Sequence, residues 1–180
     1  MDDRKIFEEG EDFFDMYSPI ARLTTIRALL SLVASYGLII HQMDIKTTLL
    51  NGKLDEEIYM DQPDGFVVKG QESKVCKLFK SLYGLKQAHK QWHEKFDRTS
   101  TSAGFVINEA DRCVYYRYGG GAGVILCLYV DDILIFGMNI DVINDVMSFQ
   151  SKSFDMKDLG EADLILNIKL IKGDNGITLL

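Results

Sequence analysis

Two adjacent aspartates, Asp131 and Asp132, interrupt the most apolar stretch of the chain, with Val124-Ile125-Leu126-Cys127-Leu128-Tyr129-Val130 before them and Ile133-Leu134-Ile135-Phe136 after. Each acid would cost about 2.5 to 3.5 kcal/mol at the centre of a bilayer, so the stretch does not read as a membrane span. It reads as two buried strands joined by a tight turn. Val114 to Tyr118 and the Gly119-Gly120-Gly121 turn precede it, so three successive antiparallel strands are expected. Asp-Asp is ordinary chemistry for a turn. Carboxylates held beside a core also suit a cation site, and the local pattern leaves both readings open.

A third carboxylate extends the argument. Leu38 to Ile45 alternates as a strand, with Leu38, Ile40, Gln42 and Asp44 on one face and Ile39, His41, Met43 and Ile45 on the other. If neighbouring strands bring Asp44 beside the Asp131-Asp132 turn, three negative charges meet. Two unit charges 4 Å apart repel by about 4 kcal/mol at an effective dielectric of 20, so such a trio calls for cations or protons. Mg²⁺ fits, because it takes hard oxygen ligands and no Cys or His cluster favours a softer metal. His89 and His93 share a helical spacing, yet no HExxH pattern or further ligand accompanies them, so they read as structural. Response-regulator receivers also combine an acidic pair with a strand-end aspartate, but their pair comes first in the chain, whereas Asp44 precedes Asp131 here. The residues alone therefore reach Mg²⁺-dependent phosphoryl chemistry and stop there.

The rest of the chain supplies a mixed set of elements. Thr24 and Thr25 can cap a helix with apolar positions Ile26, Leu29, Leu30 and Val33, which Gly37 would end. Asn51-Gly52 and Pro63-Asp64-Gly65 mark turns around a short strand at Glu57 to Met60, and Val75 to Phe79 reads as extended. A helix is expected from about Lys86 to Ser102, with Trp92 and Phe96 four apart and Gly104 as its stop. A further helix from about Asp141 to Lys152 and a strand from about Leu164 to Ile171 complete the order. No repeat or linker-like tract appears in the 180 residues, so one compact unit is preferred.

A formal net charge of -7 sits awkwardly with nucleic acid, whose phosphates attract Lys and Arg. The distribution is uneven. From Met1 to Met16 two basic residues oppose seven acids, giving -5, whereas from Lys69 to Arg98 eight oppose three, giving +5. That basic segment reads either as a solvated face or as an electrostatic footprint. The cysteines, Cys76, Cys113 and Cys127, are odd in number and widely spaced, which suggests a reducing compartment. Cys113 and Cys127 fall in apolar strands and read as small hydrophobes. Met1-Asp2-Asp3 does not resemble a secretory leader.

The motifs in chain order resemble a reverse transcriptase of the copia-type long-terminal-repeat retrotransposons. Tyr129-Val130-Asp131-Asp132 is similar to that family's active-site hairpin, and Met43-Asp44-Ile45-Lys46-Thr47 with Leu50-Asn51-Gly52 to its first catalytic motif. Glu57-Ile58-Tyr59-Met60-Asp61-Gln62-Pro63, Ser81-Leu82-Tyr83-Gly84-Leu85-Lys86-Gln87-Ala88, Trp92 and Phe154-Asp155-Met156-Lys157-Asp158-Leu159-Gly160-Glu161-Ala162 extend the likeness, which runs from about Glu9 to Leu170. It implies an α+β fold: a reverse-transcriptase palm, with a ferredoxin-like antiparallel sheet backed by helices, the aspartates at one edge of the sheet and the fingers incomplete. Residues 1–180 would form a partial reverse transcriptase domain, with thumb, connection and RNase H regions absent.

The resemblance further implies RNA-directed DNA synthesis by two Mg²⁺ ions, with Mn²⁺ as a substitute, adding dNTPs to a primer on an RNA or DNA template. Asp44 and Asp131 would hold the metals and Asp132 would support them. Ile45, Leu49, Gln87 and Lys157 would lie by the nucleotide, and Tyr129 and Val130 by the primer end. Other regions of a Pol polyprotein would be partners, in cytoplasmic virus-like particles or the nucleus. Some positions depart from the family's pattern. Leu49 stands where an aromatic usually excludes a 2′-hydroxyl, Thr48 replaces a usual Ala, His89 a usual Pro and Asn167 a Gly. A catalytically inactive remnant or host-retained interaction module is the alternative expectation.

Overall fold

The interrupted apolar run folds into a hairpin of β6 (Ala122–Tyr129) and β7 (Asp132–Gly137) in the computed structural model. Residues 20–85, 87–119, 121–165, 168–173 and 176–179 are described. The acidic stretch 1–16, Lys86, Gly120 and Asn167 lie outside them. Around the hairpin the chain runs through α1 (Leu23–Tyr36), β1 (Ile39–Ile45), a 3-10 turn (Thr48–Asn51), β2 (Lys53–Asp61), β3 (Val75–Lys80), α2 (Ala88–Ser102), β4 (Val106–Ile107) and β5 (Val114–Gly119). After the hairpin come α3 (Ile140–Ser153), β8 (Met156–Glu161), β9 (Leu164–Ile165), β10 (Ile168–Gly173) and β11 (Gly176–Leu179). The contacts divide into two compact units, residues 49–95 and residues 20–48 with 96–179, and no linker in the sequence marks the division.

In the second unit six antiparallel strands stand in the order β4-β5-β6-β7-β1-β8. The strands most distant in sequence are therefore central neighbours. Ile40, Cys127, Leu134 and Phe136 fill one face, and Met43, Leu126, Leu128, Ile133 and Ile135 the other, all of them buried. Each fully buried large apolar side chain stabilises the fold by about 1.5 to 3 kcal/mol. On the second face Phe96, in the later half of α2, meets Tyr115 edge to face at 5.2 Å and Phe154 in a stack at 5.8 Å. Gly137 admits Ile143 of α3, since a methyl group there would lie 3.0 Å from it. A separate three-stranded sheet, β11-β10-β9, closes the chain, and α1 packs near β11.

The expected apolar stripe of α1 is buried, and Gly37 ends the helix in the left-handed conformation at φ 62°. Its N-terminus differs from expectation. The N-cap is Arg22, without a side-chain cap, and Thr25 lies inside the helix. Asp111, far along the chain, does the capping: its carboxylate accepts the Arg22 amide at 3.1 Å and the Thr25 hydroxyl at 2.6 Å. Burial raises the Asp111 carboxyl, but the Thr25 and amide hydrogen bonds and the Arg22 charge outweigh it and hold it below the ordinary range.

Three strands depart from the sequence reading. The short strand at Glu57 to Met60 is the later part of the longer β2. The single strand expected from Leu164 to Ile171 is two, β9 and β10, which pair antiparallel through Ile165 and Ile168. β8 has no hydrophobic alternation to announce it, because it is an edge strand with most side chains exposed. No helix among the described residues is long and apolar enough to cross a membrane.

Candidate functional site

The β6–β7 hairpin closes through the Tyr129 and Asp132 pair, leaving Val130 and Asp131 as a two-residue loop. Val130 adopts φ 55°. A positive φ at the first loop position ordinarily calls for glycine, and a β-branched residue there holds strain of about 1 to 3 kcal/mol. The loop is tied to β1, since the Asp131 carbonyl accepts the Ile45 amide at 2.8 Å. Across β1, Asp44 stands directly opposite Asp132 on β7 and opposite Lys157 on β8. Asp44, Ile45, Tyr129, Val130, Asp131, Asp132 and Lys157 are thus assembled at one end of the central strands, not at a lateral edge of the sheet.

Asp132 shows what this proximity does. Burial pushes its carboxyl above the ordinary range, a hydrogen bond from Gln42 pulls it partly back, and the charges of Asp44 and Asp131 add to the rise. The Gln42 amide donates to Asp132 Oδ1 at 3.0 Å. Strand alternation places Gln42 on the Asp44 face, two residues away, but nothing in that pattern marks it as a brace. Opposite these acids, Lys157 is exposed, while Lys46 pairs with Asp155 at 3.1 Å.

The arrangement is acidic without being a finished ligand cage. Among the described residues no group of three His, Cys, Asp or Glu side chains is gathered closely enough to hold a metal ion. The oxygen-only donor set and the elevated Asp132 carboxyl nevertheless fit a hard divalent cation. The Ile45 carbonyl accepts the buried Thr48 hydroxyl at 2.8 Å, which leaves one lone pair for another partner. Thr48 thereby satisfies its own polar group.

Leu49 and Gln87 belong to the other compact unit. Leu49 is buried in the 3-10 turn, and Gln87 precedes α2, where its carbonyl accepts the Gln91 amide. His93 is buried. Cys113 and Cys127 are buried thiols not joined in a disulfide, pushed up to about 12 by burial first and by nearby acids second, as expected of thiols acting as small hydrophobes.

Residues 6–180 match the family described as "Reverse transcriptase (RNA-dependent DNA polymerase)". The chain is 49% identical over 166 residues, 92% of its length, to the "Retrovirus-related Pol polyprotein from transposon TNT 1-94" of Nicotiana tabacum. It is 34% identical over 170 residues, 94% of its length, to the corresponding polyprotein from transposon RE1 of Arabidopsis thaliana. It is 31% identical over 143 residues, 74% of its length, to the "Transposon Ty1-NL2 Gag-Pol polyprotein" of Saccharomyces cerevisiae. It spans 12% of each plant polyprotein and 7% of the yeast one. No solved structure matches.

Proposed function

We propose, from the premise that this chain belongs to the reverse transcriptase (RNA-dependent DNA polymerase) family and to its copia-type branch, that its three-aspartate strand end serves RNA-directed DNA synthesis. The observation that carries this reading is the register that sets Asp44 directly opposite Asp132, with the backbone of the Asp131 loop tied to β1 by the Ile45 amide. The six-stranded sheet with its helices is read as the palm of such an enzyme, ferredoxin-like in kind, and residues 49–95 as part of its fingers.

Asp44 and Asp131 would hold magnesium, or manganese in its stead, with Asp132 supporting them and the Ile45 carbonyl as a further oxygen. Two such ions, when bound, supply activation of a primer 3′-hydroxyl and neutralisation of the triphosphate of a dNTP. The chain's own part is placement. Gln42 orients Asp132, the strained Val130 aims the Asp131 loop, and Lys157, opposite Asp44, offers a positive charge to phosphate. Tyr129 and Val130 are assigned to the primer end, and Leu49 and Gln87 to the nucleotide, by resemblance alone. A template with its primer, dNTPs and other polyprotein regions are the proposed partners, within cytoplasmic particles.

Primer extension on an RNA template with Mg²⁺, comparing the wild type with Asp131→Asn, tests the reading. Incorporation by the wild type that falls by about 10²-fold or more in the variant is expected, as for loss of a group that stabilises transition-state charge. Equal incorporation by both proteins, including none, would leave the inert-remnant or interaction-module reading in its place.

A further inference from the structure

β8 does not run evenly along β1. At one end His41 stands opposite Glu161 and Gln42 opposite Gly160, whereas at the other Met43 faces Asp158, Asp44 faces Lys157 and Ile45 faces Met156. One extra residue, Leu159, is taken up in β8 between the two halves, as a bulge in the ladder. Both ends of the strand are fixed in their different registers. The Ala162 amide donates to the Ile40 carbonyl at 2.9 Å, and the Lys46 amide donates to the Asp155 carbonyl at 2.9 Å. The extra residue must therefore be absorbed somewhere between Asp155 and Ala162, and where it sits decides what Asp44 meets. Were the bulge nearer Asp155, the first register would continue past Gln42 and place Asp158, instead of Lys157, opposite Asp44. A carboxylate would replace an ammonium there.

Three groups hold the bulge where it is. Gly160 adopts φ 83°, a left-handed angle at which glycine is at ease. Nothing lies within 4 Å of the point where a side chain would begin, so the angle alone opposes one. Asp158 Oδ1 accepts the Gly160 amide at 2.8 Å and meets His41 Nε2 at 2.6 Å. His41 is buried on the neighbouring strand. A single carboxylate oxygen closes the bulge on itself and fastens it to the sheet.

We propose that His41, Asp158 and Gly160 are positioning residues that pin the β8 bulge and so keep Lys157, not Asp158, in front of Asp44. The consequence for phosphate rests on the reading of this strand end as a polymerase site, whereas the pinning does not. None of the three touches the reacting groups. They act through Lys157, by choosing the sign of the charge across from the β1 aspartate.

The test compares the full 180-residue chain with His41→Leu, His41→Gln and Gly160→Val by nuclear magnetic resonance. The Ile45 amide points to β7, so Ile45 and Met156 form a non-hydrogen-bonded pair, in which Cα atoms approach to about 4.5 Å and the α-protons give a strong Overhauser contact. In His41→Leu, which cannot donate to Asp158, and in Gly160→Val, whose branched side chain disfavours a positive φ, that contact is expected to be lost and replaced by one between Ile45 and Lys157. His41→Gln, which still donates, should retain it. The Gln42–Leu134 contact between β1 and β7 reports that a variant is folded. An unmoved Ile45–Met156 contact in either folded disruptive variant, or loss of the Gln42–Leu134 contact in both, would overturn the pin, which is local to β8. Primer extension supplies the second readout. The KM for dNTP should rise several-fold in His41→Leu and return in His41→Gln, whereas a chain that is merely less stable loses kcat with KM unchanged. An unaltered KM in a His41→Leu protein whose register has moved would overturn the positioning role. A wild type that incorporates nothing would sink the polymerase reading instead, and the pin would still be decided by the Overhauser contacts.

Discussion

Val130 is the residue whose conformation least suits its chemistry, since its branched side chain sits at a φ where glycine is at ease. Val130→Gly should relieve about 1 to 3 kcal/mol of strain against about 0.5 to 1 kcal/mol of added chain entropy. A net gain raises the thermal midpoint by roughly 2 to 4 °C per kcal/mol for a domain of this size, while primer extension falls as the Asp131 loop loosens. A lower midpoint in calorimetry would contradict the strain. Asp132 carries the complementary prediction. Its folded carboxyl is raised by burial and by its acidic neighbours, so stability is fully present below the unfolded value and is lost as pH rises through the folded one. Asp132→Asn keeps an acceptor for Gln42 and should be more stable than wild type at pH 7. The difference should close as the pH is taken below about 4, the ordinary carboxylate value, in denaturant titrations at each pH. The three aspartates were legible from their neighbours in the sequence. The backbone angle of Val130 was not, because nothing in a β-branched residue announces a turn usually reserved for glycine.

At the scale of elements, Asp111 and Gly52 show how distant or minimal groups fix local structure. Asp111→Ala removes the acceptor shared by Arg22, Thr25 and the Cys113 amide and should cost about 1 to 2 kcal/mol, as for loss of a helix cap. The depressed Asp111 carboxyl contributes stability above its unfolded value and loses it as pH falls through the folded one. The gap between Asp111→Ala and wild type should therefore be full at pH 7 and shrink in acid. Gly52→Ala would drive a methyl group to 2.7 Å from Gln91 Cβ and 2.8 Å from Ser81 Oγ, a clash worth about 1 to 3 kcal/mol. Chemical denaturation measures both variants. The sequence disclosed α1, β1, α2, the β5–β6–β7 run and α3, because each buries a periodic apolar face. It concealed the true cap of α1, since Thr24 and Thr25 offered a nearer candidate than an aspartate 86 residues beyond Thr25. It also concealed β8, whose backbone pairing with β1 defines the strand while its side chains remain polar.

Across the whole molecule, acidic and basic surroundings are separately placed, and the total of -7 conceals this. Acids concentrate where β1 meets the β6–β7 hairpin, and two exposed lysines, Lys53 and Lys80, face each other where β2 meets β3. Mg²⁺ added to the free chain should stabilise it through the first of these, by about 2.7 kcal/mol at a hundred times the dissociation constant, and Asp44→Asn should abolish most of that gain in thermal melts. The order of the central sheet carries one more implication, for the chain as it is made. Gln42 and Asp132 are 90 residues apart, so at about 5 to 20 residues per second the ribosome releases β1 roughly 5 to 18 s before its partner exists. Through that interval Ile39, Ile40 and Met43 have no neighbouring strand on the β7 side, which makes β1 the segment of the nascent polypeptide most in need of a chaperone.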